Sequence, residues 1–256
     1  MEEKGAADHK KQFRMKLFLI GIGLEEGDIS IKSVEAIKKC DKIYLESYTS
    51  IGISIDYLKK LFNKKIEPKP REFFENNSKE IIKEAKKENV ALLIQGDCLS
   101  ATTHISILQE AEENNIETEI IHGASIFTAV NETGLSLYNF GKTASIPFEN
   151  KTVKTPYEII KTNLEKGTHS LVLLDLNPNE NKFLSAKEGL TYLIKQGLKE
   201  STKAVICSKL GTKERKIKFG KIKDLLSINL KDYPQCIIII GNTHFVEEDY
   251  LNKFKV

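Results

Sequence analysis

Three short stretches carry residue types able to hold a ligand or assist a reaction: Gly21-Ile22-Gly23, Gly96-Asp97-Cys98-Leu99-Ser100 with Thr102, Thr103 and His104 behind it, and His122-Gly123-Ala124-Ser125. Glycine lets the backbone pass close to a ligand or a neighbouring strand, while a carboxylate and hydroxyls supply hydrogen bonds. Several chemistries lack their motif. No GxxxxGK[ST] stretch supports nucleotide hydrolysis on a P-loop, and no GxSxG elbow offers a serine nucleophile. Beyond Gly21-x-Gly23, Glu26 stands where a dinucleotide fingerprint needs its third glycine, which disfavours a nicotinamide cofactor. The five histidines, His9, His104, His122, His169 and His244, have no metal-binding spacing, and each reads more readily as structural. Cys98 has no basic sequence neighbour to activate its thiol and reads as a packing residue.

Each stretch follows an apolar run, so each is expected at the end of a strand. Residues 16–20, Val90–Gln95 and Ile116–Ile121 are the three runs, and Val90–Gln95 has the continuous apolar character of a strand buried on both faces. Helices are predicted over Ser30–Cys40 (apolar positions Ile31, Val34, Ile37), Ile55–Phe62, Asn77–Glu88 (Ile81, Ile82, Ala85), Thr102–Glu113 (Ile105, Leu108) and Ser125–Thr133, with Ser125 as N-cap. A further strand begins at Asp41. Alternating strands and helices predict a parallel sheet whose ligands bind outside the carboxyl ends of its strands. The pattern then changes. Gly134–Pro147 reads as a linker with aromatic side chains, followed by a helix from Thr155-Pro156 to Leu164, a strand His169–Leu176, a helix Ser185–Gln196, and β segments at Ala204–Ser208, Lys216–Ile222 and Cys236–Ile240. Two domains are expected, 15–122 and 123–256. Residues 1–14 are polar and aperiodic and are expected to be a disordered tail, an expression remnant or a misplaced start.

With 39 Lys+Arg against 36 Asp+Glu, the net charge is only +3 and the charges are interspersed, so nothing demands a nucleic acid. The longest apolar runs fall far short of the roughly 20 residues that cross a bilayer, and no apolar signal core opens the chain. Four well-separated cysteines without a CxxC pair argue against a zinc site or disulfide framework and fit a reducing cytoplasm.

Taken together, FLIGIGL at the start, YLESYTS at 44–50, GDCLSATTH at 96–104, IHGASI at 121–126, GLSLYNFGKTASIPF at 134–148 and HSLVLLDL at 169–176 resemble the diphthine synthase family. The motifs fall in that family's order over essentially all of 15–256. The resemblance implies an α/β fold of tetrapyrrole-methylase-like type, with a parallel-sheet N-terminal domain, a mixed-sheet C-terminal domain and the cofactor cleft between them. It also implies a methyltransferase that uses S-adenosyl-L-methionine, releases S-adenosyl-L-homocysteine, and acts on the modified histidine of translation elongation factor 2 as a homodimer. Carried over residue by residue, the implied cofactor contacts are Leu24, Asp97, Ser100, Ser125, Ile126, Leu174, Leu210 and, approximately, Gln235. Cys98 replaces the family's usual proline and is expected to loosen its turn; at Gln235 relatives can carry histidine. The short Leu176–Ser185 connection resembles archaeal members, whose product is trimethylated. Asp97 is expected either to face the cofactor's charge or only to tie down its own turn. Tyr138 and Phe140 are expected near the acceptor, or to pack the linker. Two alternatives stand beside this reading: a methylase of the same fold acting on a tetrapyrrole, and a module that binds the elongation factor without turnover.

Overall fold

The computed structural model describes residues 15–47 and 52–256, so residues 1–14 and the end of the YLESYTS motif lie outside the described residues. In the first half, β1 (Lys16–Gly21), α1 (Ile31–Lys38), β2 (Lys42–Glu46), α2 (Ile55–Phe62), β3 (Glu67–Lys69), α3 (Arg71–Glu75), α4 (Ser78–Ala85), β4 (Val90–Ile94), α5 (Ile105–Glu113) and β5 (Glu117–Ile121) alternate. Their five strands pair entirely in parallel, in the order β3-β2-β4-β1-β5. The central strands are apolar throughout because both faces are covered. Leu17, Leu19 and Leu92 pack under α4 and α5, whereas Phe18, Ile20 and Leu93 pack under α1 and α2. All five residues of β4 are buried, and each large side chain so enclosed stabilises the fold by about 1.5–3 kcal/mol.

Helix starts depart from the sequence expectation. Ile31 is exposed because Ser30 caps α1, and the helix turns Ser33, Ala36 and Ile37 inward on the opposite side. Ile105, the first residue of α5, is also exposed, since Ile107, Leu108 and Ala111 set that helix's buried face.

The second half contains α6 (Ile126–Ala129), which continues as a 3-10 turn (Val130–Thr133), then a further 3-10 turn (Leu137–Asn139), β6 (Ala144–Ile146), α7 (Thr155–Glu165), β7 (Ser170–Leu174), β8 (Leu176–Asn177), β9 (Lys182–Phe183), α8 (Ala186–Gln196), β10 (Lys203–Ser208), β11 (Lys216–Lys221), α9 (Ile222–Leu225), β12 (Gln235–Ile239) and α10 (Phe245–Leu251). Its main sheet runs β11-β10-β12-β7-β6. Only β6 and β7 are parallel. The expected linker at 134–147 is therefore partly sheet: too short to show periodicity, β6 gains its strand identity from pairing with β7. The small β8–β9 hairpin occupies the short connection after β7. Among the described residues, no helix is long and apolar enough to cross a membrane.

Candidate active site

Three adjacent strands, β4, β1 and β5, end together, and glycine allows their ends to touch. A Cβ at Gly21 would lie 2.7 Å from the Gly123 nitrogen and 2.8 Å from the Gly96 oxygen; one at Gly123 would lie 2.6 Å from that oxygen. Reciprocal bonds between Gly23 and Gly96, 3.1 and 2.7 Å, lock the first two loops. Gly96 has φ +82°, a left-handed conformation that turns the chain sharply toward Asp97.

Asp97 braces this junction. Its Oδ1 accepts bonds from the Leu99 amide and the Ser100 hydroxyl, both at 3.0 Å. Its Oδ2 accepts from His122 Nδ1 at 2.7 Å and from the Gly123 amide at 3.3 Å. Burial pushes the Asp97 pKa up, but these bonds outweigh it and hold the carboxyl below the ordinary aspartate range. The carboxylate thus ties down its own turn and also the end of β5. Cys98 braces the turn further: its buried thiol reaches the carbonyls of Ile121 at 3.5 Å and Leu19 at 3.6 Å. Burial raises that thiol's pKa to about 11, which disfavours a nucleophilic thiolate. Asp97, Cys98 and His122 place ligand atoms within 4.8 Å of one another, yet a protonated thiol and a carboxylate with four donors fit a junction better than a metal cage.

The seam opens onto a cleft of about 820 Å³ between the two main sheets, and the cleft brings all eight expected cofactor contacts together. From the first half come Leu24, Asp97 and Ser100. Ser125 caps α6 by accepting the Phe127 amide, leaving its hydroxyl proton available, and Ile126 follows it into the wall. Leu174 and Leu210 line the opposite side while packing into the second sheet's two cores. Gln235 also lines the cleft, although its amide is engaged: Oε1 accepts the Ala186 amide at the start of α8, and Nε2 donates to the carbonyls of Leu230 and Asp232.

One loop bond joins the halves and a second, within the second half, fixes the loop that receives it. Glu25 accepts the Lys213 amide at 3.1 Å and Glu132 the Gly211 amide at 3.0 Å. Leu24 lies over Gly211, where an added Cβ would approach its Cδ1 to 2.3 Å. The hydroxyl-rich loop also lines the cleft through Thr102 and Thr103, and four residues outside the candidate stretches join them: Glu75 from α3, Ser145 in β6, Thr155 at the start of α7, and Asp175 directly after β7. Asp175 ends the HSLVLLD run at a strand's carboxyl end, as Asp97 follows β4, and that parallel was the available signal.

The aromatic pair lies elsewhere. Tyr138 is 99 % exposed and Phe140 packs edge-on against His169 with ring centroids 5.4 Å apart; neither lines the cleft. His104 and His169 are buried, and His104 meets Thr102 and the Cys98 carbonyl through Nδ1. His244 caps α10.

Residues 16–226 match the family model of the tetrapyrrole (corrin/porphyrin) methylases. The diphthine synthase of Methanocaldococcus jannaschii is 43% identical, with 92% of this chain and 97% of that protein covered. That of Methanococcus vannielii is 40% identical with the same coverage. Among solved structures, a crystal structure of diphthine synthase superposes with TM-score 0.88 at 34% identity, covering 94% of this chain and 96% of its own. The parallel and mixed sheets flanking one cleft are thus shared along nearly the whole length of these relatives, and the chain belongs to the tetrapyrrole methylases and, among them, to the diphthine synthases.

Proposed function

We propose that this methyltransferase transfers methyl groups from S-adenosyl-L-methionine to the amino group of the modified histidine of translation elongation factor 2, giving diphthine and S-adenosyl-L-homocysteine. The observation that carries the reading is the cleft. In a chain similar to diphthine synthases over nine-tenths of its length, it gathers Leu24, Asp97, Ser100, Ser125, Ile126, Leu174, Leu210 and Gln235 around one cavity.

The lining fits such a cofactor chemically. Asp97, Ser100, Ser125 and the glycine-loop amides give one wall polar and negative character, while Leu174, Leu210 and Ile146 offer apolar surface for an adenine ring. When bound, the cofactor supplies an electrophilic methyl group on a sulfonium centre. The protein's task is to orient both reactants and exclude water. Ser125 offers a hydroxyl donor. The Asp97 charge, held ionised by its four donors, favours a nearby cation without having to release them. Before each transfer the acceptor ammonium gives one proton to solvent, and the resulting neutral amine would form its N–C bond as the C–S bond breaks, so that the third transfer leaves a quaternary ammonium. Three rounds are expected, in keeping with the archaeal relatives and the short 176–185 hairpin.

We also infer two domains, 15–122 and 123–256, because Ile121 packs with the first sheet and Val130 with the second. A homodimer in the cytoplasm completes the reading; large exposed side chains such as Tyr138 and Phe245 suit a subunit contact, which light scattering tests. For the reaction, the protein is incubated with methyl-labelled S-adenosylmethionine and either the unmethylated factor intermediate or a porphyrin or corrin precursor. Label on the factor alone supports the proposal. Label on the tetrapyrrole, or binding to the factor without transfer, refutes it.

A further inference from the structure

The cleft's charged lining is one-sided. Among the described residues it includes three carboxylates, Glu75, Asp97 and Asp175, and no lysine or arginine. A cleft of that sign attracts cations. Asp97 and Asp175 differ in what they have left to offer. A carboxylate has about four lone-pair sites, and Asp97 receives four donors. Asp175 receives two, both backbone amides: Leu176 N on Oδ1 at 3.0 Å and Phe148 N on Oδ2 at 3.2 Å. Each of its oxygens therefore retains an acceptor site. The backbone holds the residue from both sides as well, since its amide donates to Ile146 O at 3.1 Å and its carbonyl accepts Leu184 N at 3.0 Å. The result is a fixed, half-buried carboxylate with unused acceptor capacity, in a part of the cleft whose lining is mainly apolar, with Ile146, Pro147, Val153, Pro156, Ile159 and Leu176 beside the hydroxyls of Ser145 and Thr155.

We propose that Asp175, within this apolar bay of the second half, is the subsite for the acceptor amine: it accepts the N–H bonds of the entering amine and balances the charge of the methylated ammonium. The inference rests on the function proposed above. An amine gaining methyl groups loses N–H donors while keeping a positive charge, so its site needs a carboxylate for the early rounds and apolar surface for the methyl groups of the later ones. The bay supplies both on one wall. Asp97, with its lone pairs taken, acts across the cleft as a fixed charge.

The first test uses the wild-type protein saturated with S-adenosylhomocysteine and needs no elongation factor. Choline and its neutral isostere 3,3-dimethylbutan-1-ol are titrated in parallel, with an expected preference of about tenfold or more for choline; equal affinities overturn the proposal. The second uses Asp175→Asn. It should bind S-adenosylhomocysteine within about twofold of wild type, lose the choline preference, and show a KM for the factor raised about tenfold or more. Loss of S-adenosylhomocysteine affinity with an unchanged KM for the factor would instead assign Asp175 to the cofactor and overturn the proposal. Should Asp175→Asn fail to fold, the choline comparison still decides. Should wild-type protein fail to methylate the factor, the proposed function falls while the charge preference of the bay is still read independently.

Discussion

Replacing Asp97 by alanine should weaken the protein as well as its cofactor binding, because this carboxylate is a structural tie between two strand ends. Four donors lose their acceptor at once: the amides of Leu99 and Gly123, the Ser100 hydroxyl and His122 Nδ1. A hydrogen bond to a charged group contributes about 1.5–3 kcal/mol, but the four are not additive. His122 is 69% exposed and regains water, and the Ser100 hydroxyl can rotate, so the two backbone amides dominate. Their sum, softened by partial hydration, is about 3 kcal/mol, or a drop in melting temperature of about 6–12 °C for a chain of this size. Asparagine should rescue little, since its NH2 must face either the Leu99 and Ser100 donors or those of His122 and Gly123. The sign of the pH dependence follows from the direction of the shift. The folded pKa lies below the unfolded value of about 3.9, so the contribution is fully present above pH 4 and is lost as pH falls through the folded pKa. Thermal melts of wild type and Asp97→Ala from pH 7 downward, with calorimetric titration of S-adenosylhomocysteine at pH 7, test this. A variant melting within 2 °C of wild type at pH 7 would refute the structural role, and one with unchanged affinity would remove Asp97 from the cofactor site.

Gly21→Ala should be more damaging than an ordinary strand substitution: the new methyl meets backbone at 2.7 and 2.8 Å, so the Gly96 and Gly123 chains must each retreat by about 0.7 Å to reach normal contact. Overpacking of this kind costs about 1–3 kcal/mol, and it opens the junction that Asp97 closes; unchanged stability in urea together with unchanged S-adenosylhomocysteine affinity would contradict it. Burial holds the pKa of both His104 and His169 below the usual histidine value, so folding favours the neutral form of each. The unfolded chain then takes up protons first as pH falls through about 6.5, and stability should decline between pH 7.5 and 5.5. A flat melting profile over that range would refute the neutral buried assignment.

What the sequence disclosed, and what it withheld, follows from where the physical signal resides. Val90–Ile94 was legible because burial on both faces forces an unbroken apolar run, and Ser125 because an N-cap is a local requirement. β6 was not: three residues carry no period, and their strand geometry comes from a partner 28 residues away, Ala144 against Val172. Ile31 and Ile105 misled because each fits an apolar spacing yet stands at the first position of its helix, where later residues set the buried face. At the cleft, glycine positions and hydroxyls were visible as types, but the occupancy of their bonds was not. Asp97 and Gln235 illustrate the difference, since both line the cleft while most of their hydrogen-bonding capacity goes to the protein itself. Asp175 is the converse case, an unremarked residue at the end of an apolar run whose carboxylate keeps acceptor sites open toward a cation. A sequence lists the groups that can bind; only the fold shows which of them are already engaged, and in this cleft that distinction separates a residue that shapes the site from one that can receive the substrate.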